Sequence, residues 1–194
     1  MSTKSPKEVI DAALVTGCNK VALPSRDFGR FALLTVLAGV YIAFGGTLSV
    51  ILGYGFPELT AGNPGLQKLL SGAAFPIGLI LVVVLGAELF TGNNALLMPP
   101  LMAGKCSWRD VAVNWVLVYL GNFVGAIGFV YVFAYVTGLM SPEPYHAAIV
   151  KIAEAKVSMP WLTVMVKGIG ANWCVCLAIW LAMAAKSSGN KQYD

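Results

Sequence analysis

The chain has 194 residues, of which 58% are hydrophobic and only 11% are charged, and its formal net charge is +4. Soluble domains carry about 25% charged residues, so this composition excludes an ordinary soluble domain and favours an integral membrane protein. The basic residues are dispersed between long apolar runs instead of forming one patch, so the positive charge does not indicate nucleic-acid binding.

Residues 1–30 form a polar N-terminal segment that we expect on the cytoplasmic side of a membrane. Within it, Val9, Ala13 and Leu14 recur at near-helical spacing. Such a helix lies on the membrane surface, packs under the bundle or forms a solvated lead-in, and the pattern does not separate these alternatives. The first apolar run starts only at Phe31 and is far longer than the core of a signal peptide, so no signal peptide is predicted.

Four apolar runs are each longer than the ~20 residues that a helix needs to cross a bilayer. They predict an all-α fold, a polytopic membrane helix bundle covering residues 31–185, followed by a cytoplasmic tail at 186–194. The spans are expected at about residues 31–56, 69–104, 111–140 and 161–185.

The run 69–104 is too long to be one simple helix, because it would extend for roughly 54 Å against a hydrocarbon core of about 30 Å. Its centre holds the polar, turn-forming segment 91–94, and Pro99 and Pro100 remove two backbone donors soon afterwards. We therefore predict non-helical backbone at 91–94, facing protein or water rather than lipid. Broken helices at membrane depth are typical of transporters, so this run indicates a solute pathway.

The distribution of basic residues predicts the orientation of the spans. With the N-terminus inside, nine basic residues fall in inner segments and three in outer ones, and Lys167 lies within the fourth span. By the positive-inside rule we expect a multi-pass protein of the cell membrane, with the N-terminus and Asp194 both in the cytoplasm.

Glu88 is the single acid of the interrupted run. An acid at membrane depth costs ~2.5–3.5 kcal/mol or more and marks a functional site by default. We expect it instead to be structural, capping backbone N–H groups freed by the break, because a carboxylate would repel an anion. Thr91 and Gly92 are better solute contacts, since Thr offers a hydroxyl and Gly exposes the main chain. The neighbouring Asn93 is assigned to the same pathway.

Other candidates lie before and after the break. Phe75 and Leu79 are four residues apart, so they share one helix face and form either a hydrophobic constriction or ordinary packing. Lys156, in an expected outer loop, either attracts an anion or snorkels to the interface. Asn122 and Asn172 are amides in apolar helices, which usually form hydrogen bonds to other helices.

The sequence predicts no enzyme. It has no catalytic nucleophile–base set, Walker loop, dinucleotide fingerprint or zinc-ligand spacing, so no cofactor or metal is expected. His146, the only histidine, lies in an expected outer loop, which excludes haem held by two histidines within the spans. The cysteines are interpreted as packing residues or free thiols.

Several stretches, in order along the chain, resemble the formate/nitrite transporter family, and its bacterial and archaeal formate transporters in particular. The most specific stretch is 86–93, with the sequence GAELFTGN. The others are 5–9, 37–45, 75–79, 114–115, 121–126 and 172–178.

This resemblance implies an aquaporin-like, inverted-repeat channel fold and a homopentamer in which each subunit conducts a small monovalent anion, formate first. It implies that Phe75 and Leu79 line a constriction. It also implies that Thr91 lies beside the central site, that Lys156 draws the anion in, and that Asn172 supports the site. Membrane lipid is the expected surrounding partner.

The family has six spans in two inverted halves, whereas four are predicted here, so the fold is expected to be incomplete. We expect the fifth and sixth spans to be missing, and the family's second interrupted helix with them. The chain alone is therefore expected to carry no formate flux. Nitrite or hydrosulfide passage is one alternative function. A non-transporting subunit that anchors an enzyme complex is another.

Overall fold

The computed structural model describes residues 3–185, and this part of the chain folds almost entirely into helices. The all-α class is confirmed, while the tail at 186–194 lies outside the described residues. A π-helical stretch, Tyr131–Val136, extends the eighth helix. The helices in chain order are α1 (Pro6–Arg26), α2 (Phe28–Tyr54), α3 (Pro57–Thr60), α4 (Pro64–Ala74), α5 (Pro76–Leu85), α6 (Phe90–Leu96), α7 (Met98–Met102), α8 (Trp108–Val130), α9 (Tyr145–Val157) and α10 (Trp161–Ala184).

Four helical stretches among the described residues are long and apolar enough to cross a membrane. Their bounds agree with the expected spans to within a few residues, except in the second span. There, α4 and α5 together complete the crossing, and the rest of the run 69–104 forms the short helices α6 and α7. The four stretches are Phe28–Tyr54, Pro64–Leu85, Trp108–Val136 and Trp161–Ala184.

Local sequence signals define several helix ends. The Ser5 hydroxyl accepts a hydrogen bond from Glu8 N at 3.4 Å, and the Glu8 carboxylate accepts one from Ser5 N at 2.6 Å. Ser107 and Asp110 form the same reciprocal cap at the start of α8. At the end of α5, Gly86 has a φ of 69°, a left-handed conformation that glycine adopts without strain.

The centre of the bundle is the contact between α2 and α8, where small residues bring the two backbones together. A Cβ atom at Gly39 on α2 would collide with the main-chain carbonyl of Asn122 on α8. A Cβ atom at Gly125 would likewise collide with the carbonyl of Val36. Helices in membranes associate through such close packing because apolar burial drives little association in lipid. This seam holds Asn122 against the backbone of α2.

The helix α1 packs against the bundle, which is one of the three arrangements expected for the N-terminal segment. Ala13 is fully buried and packs with Leu96 of α6 and Ile179 of α10. Lys4 N donates a hydrogen bond to Ala184 O at 3.0 Å. The N-terminal segment and the end of α10 therefore lie at the same end of the molecule.

The outer faces of α8 and α10 carry large apolar side chains. Leu181 and Trp161 of α10 are 72% and 75% exposed, and Tyr135, in the π-helical stretch, is 75% exposed. A continuous apolar surface of this kind marks contact with lipid or with further protein.

Candidate functional site at the interrupted second span

The second span is interrupted at residues 86–89, between α5 and α6. Ala87 N still donates a hydrogen bond to Val82 O at 3.0 Å, and the chain is then extended until α6 begins at Phe90. Ala87, Glu88 and Leu89 are all buried. Non-helical backbone thus lies inside the protein, as it must where lipid offers no hydrogen-bonding partner.

The prediction that 91–94 is non-helical is wrong, because these residues form the middle of α6. Asn93 N donates to Leu89 O at 2.8 Å, and Leu97 N donates to Asn93 O at 3.0 Å. The turn-forming residues remain helical because the glycine at 86 supplies the sharp turn earlier. The second half of the prediction holds, since Gly92 and Asn93 face protein and are buried.

Asn122 of α8 holds the break in place through three hydrogen bonds. Its Nδ2 donates to Glu88 O at 2.9 Å and to Thr35 O of α2 at 2.8 Å. Its Oδ1 accepts from Phe90 N, the first residue of α6, at 2.9 Å. Glu88 N donates in turn to Leu34 O at 3.2 Å. One amide therefore satisfies groups that the break leaves without helical partners, and the expected interhelical role of Asn122 is confirmed.

The Glu88 side chain forms an ion pair. Its Oε1 lies 2.8 Å from Lys20 Nζ of α1, and its Oε2 accepts from Asn93 Nδ2 at 2.8 Å. The residue is 3% exposed. The expectation that Glu88 caps freed backbone N–H groups is therefore wrong, because the Glu88 carboxylate binds a lysine and a side-chain amide.

Asn93 and Asn114 connect this ion pair to α8 and back to α1. Asn93 Nδ2 donates also to Asn114 Oδ1 at 2.8 Å, and Asn114 Nδ2 donates to Lys20 O at 3.2 Å. Asn93 and Asn114 are almost completely buried. The network thus joins α1, the break, α6 and α8 in an interior where an unpaired polar group would be costly.

From sequence, Asn114 has no assigned role at this site, and Lys20 belongs with the cytoplasmic charges. A signal for Lys20 existed, since a buried acid in a span requires a cation. Which lysine or arginine serves depends on how α1 packs, and that is not readable from sequence.

Three cavities lie beside the interrupted span and α6, and they divide four of the expected pathway residues among them. Gly92 and Asn93 line a cavity of about 240 Å³ beside Lys20 and Ile179. Thr91 lines a second, of about 260 Å³, on the side of α2 and α8. A third, of about 280 Å³ between α5 and α10, is lined by Leu79. The structure therefore brings Gly92 and Asn93 together and places Thr91 and Leu79 on different faces.

The other expected pathway residues line none of these three cavities. Phe75 lies at the junction of α4 and α5 and is 43% exposed. Lys156 is exposed in the last turn of α9, so it is helical and not in a loop. Asn172 Nδ2 donates to Gly168 O of its own helix at 2.9 Å, which corrects its expected bond to another helix.

The helix α10 covers α6 from one side. Cys176 Sγ donates to Thr91 O at 3.6 Å, and Ile179 carbon atoms lie 3.7 and 3.8 Å from where a Cβ at Gly92 would be.

Outside the spans, burial raises the pKa of the Cys106 thiol, with Asp110 and Cys18 contributing. That thiol is therefore a weak nucleophile at neutral pH.

Comparison with known proteins agrees with this geometry. A family model described as formate/nitrite transporter matches residues 7–193. A probable formate transporter of Methanothermobacter thermautotrophicus is 36% identical over 199 residues, covering 95% of this chain and 71% of that protein.

Two solved structures share the fold. An FNT family ion channel superimposes with a TM-score of 0.84 at 28% sequence identity, covering 93% of this chain and 70% of that one. A pentameric formate channel with formate bound superimposes with a TM-score of 0.72 at 32% identity, covering 81% of this chain and 61% of that one.

Proposed function

The chain belongs to the formate/nitrite transporter family, and from that premise we propose that it forms a membrane channel for formate. The observation that carries this proposal is the buried break at 86–89, which is held by Asn122 and leads into α6. A simple membrane anchor has no need of non-helical backbone and a charged network inside its helix bundle.

Thr91 is the proposed formate contact. It is half-buried and lines a cavity, and its hydroxyl is a donor that suits an anion. Gly92, which lines the neighbouring cavity beside Lys20, adds backbone without a side chain to obstruct the anion. The Asn93 Nδ2 group is occupied by Glu88 and Asn114, so we assign Asn93 as a positioning residue that holds the Glu88 carboxylate away from the anion.

The outer parts of the pathway follow the family analogy. Phe75 and Leu79 are proposed to form an apolar constriction, in which protonation would lower the desolvation cost of the anion. Lys156 is proposed to raise the local anion concentration at the end of the molecule opposite the N-terminus. Asn172 is proposed to support the site from α10.

The proposed assembly is a homopentamer in the cell membrane, with the N-terminus in the cytoplasm. The solved pentameric formate channel supports the oligomeric state, and the positive-inside count supports the orientation. Cross-linking of the purified protein, followed by mass determination, tests the stoichiometry.

Uptake of labelled formate into proteoliposomes tests the function. The chain spans about 70% of the length of its formate transporter relative. Uptake is therefore compared for the 194-residue chain and for a fusion of residues 1–185 to the unmatched remainder of that relative. We expect the fusion to carry the larger flux, because the outer faces of α5 and α10 are uncovered in the chain alone. A correctly assembled fusion without flux would contradict the proposal.

In the fusion, Thr91→Val should reduce formate flux by about one to two powers of ten. Val keeps the branched shape but removes the hydroxyl, and a buried group that loses one donor loses roughly 1–3 kcal/mol. Thr137→Val, at an exposed hydroxyl bonded to Phe133 O, is the matched control. Unchanged flux in Thr91→Val would remove Thr91 from the pathway.

Competition separates the alternatives within the family. Excess unlabelled nitrite or hydrosulfide should inhibit formate uptake less than the same excess of unlabelled formate. Stronger inhibition by either would make that anion the preferred substrate. A membrane anchor subunit would show no uptake of any of the three.

A further inference from the structure

A fourth cavity, of about 430 Å³, lies between α1, the start of α2 and the break. Three basic residues line it: Lys20, Arg26 and Arg30. It is distinct from the cavity of Thr91, which lies on the side of α2 that faces α8.

The arginines of this cavity are not neutralised. Lys20 is balanced by Glu88, with 2.8 Å between Nζ and Oε1. Within residues 3–185, neither Arg26 nor Arg30 forms an ion pair within 4 Å. The nearest acid in sequence, Asp27, uses Oδ1 to accept from Arg30 N at 2.9 Å, capping α2. Two guanidinium groups and one capping carboxylate leave a net positive charge at the cavity.

The cavity also has an apolar side. Leu23 and Leu34 line it, and the neighbouring Leu33 is 58% exposed on α2. Arg26 ends α1 and Arg30 lies in the first turn of α2, so the charges lie where the first span starts. A site with basic groups at the end of a span and apolar residues towards its middle matches the two parts of a phospholipid.

We propose that this cavity binds the phosphate group of an anionic phospholipid, with the acyl chains lying along α2. Guanidinium groups form paired, charge-assisted hydrogen bonds with phosphate oxygens. The proposal does not depend on formate conduction, and its test measures lipid binding alone.

The test titrates the purified 194-residue protein in detergent with dioleoylphosphatidylglycerol or dioleoylphosphatidylcholine. Bound lipid is counted by native mass spectrometry, and the unfolding midpoint is followed in parallel. Wild type should prefer phosphatidylglycerol. Arg26→Gln with Arg30→Gln should weaken phosphatidylglycerol binding on the order of 30-fold, at about fivefold for each arginine.

The matched control removes the same charge elsewhere, with Lys105→Gln and Arg109→Gln, both exposed outside the cavity. An equal loss of binding in this control, or no preference between the two lipids, would overturn the proposal. If inorganic phosphate binds and the lipid does not, the lipid assignment is wrong. Should the Gln pair fail to fold, Arg26→Lys with Arg30→Lys keeps the charge, and several-fold weaker binding is expected because the paired geometry is lost.

Discussion

At the scale of single residues, the interior of this protein depends on a few polar side chains that bind one another and the backbone freed by the break. Glu88 and Lys20 form an ion pair, and both side chains are largely withdrawn from solvent. The free-energy cost of burying either charge is offset only because the other is present. Asn122 serves three backbone groups at once.

Replacing one partner of the Lys20–Glu88 ion pair should destabilise the protein more than replacing both. Glu88→Gln and Lys20→Met each leave one buried charge unpaired, and each should destabilise by about 3–5 kcal/mol. The double variant should be less destabilised than the sum of the two, which gives a favourable coupling energy in a double-mutant cycle. Unfolding in detergent measures this. Glu143→Gln, in the exposed pair with His146, is the control and should change stability little. Additive effects of Glu88→Gln and Lys20→Met would argue against a functional pair.

The two asparagines should separate stability from transport. Asn122→Ala leaves Phe90 N and the carbonyls of Glu88 and Thr35 without this partner, at roughly 1–3 kcal/mol for each group that stays unsatisfied. Asn172→Ala removes one bond within α10, so its unfolding midpoint should stay near wild type while formate flux in the fusion falls. A large loss of stability in Asn172→Ala would make its role structural.

At the scale of helices, the α2–α8 seam positions the break. The carbonyl of Asn122 lies against Gly39, and the Asn122 side chain binds the break. A shift of either helix would therefore move the start of α6, and with it Thr91.

Gly39→Ala should lower stability by about 1–3 kcal/mol, because its new methyl group collides with backbone that has no room to move. Gly46→Ala is the matched control on the same helix, since nothing lies within 4 Å of its added Cβ. The control should be neutral or slightly stabilising, because Ala favours the helix over Gly. Equal stability of the two variants would show that the seam tolerates separation.

At the scale of the whole molecule, the hydrogen bond from Lys4 N to Ala184 O places both ends of the described chain on one side of the bundle. An even number of crossings, as the four spanning stretches make, requires this arrangement. This hydrogen bond does not show whether the two ends face the cytoplasm or the outside, so the proposed orientation rests on the count of basic residues.

Impermeant thiol reagents test that direction in intact cells, after replacement of the native cysteines. A cysteine at Ser141, exposed in the connection before α9, should be labelled from outside, and a cysteine at Lys7, exposed on α1, should react only after lysis. The reverse pattern would invert the proposed orientation.

Composition and hydropathy alone determined the class of this protein and the approximate limits of its spans, because a membrane-crossing helix must be long and apolar. The excess length of the second run likewise showed that it is interrupted. Its polar residues were wrongly assigned to the turn, since a single glycine at 86 supplied the left-handed conformation and left 91–94 helical.

Only the tertiary structure decided how the charges are compensated. The partner of Glu88 comes from α1, and the hydrogen bonds of the break come from Asn122 of α8. Sequence shows that a buried acid and a broken helix need partners, because unpaired polar groups are costly in lipid. Which side chains supply them depends on how helices distant along the chain pack together, and that is settled only when the α2–α8 seam and the docking of α1 bring them within hydrogen-bonding distance.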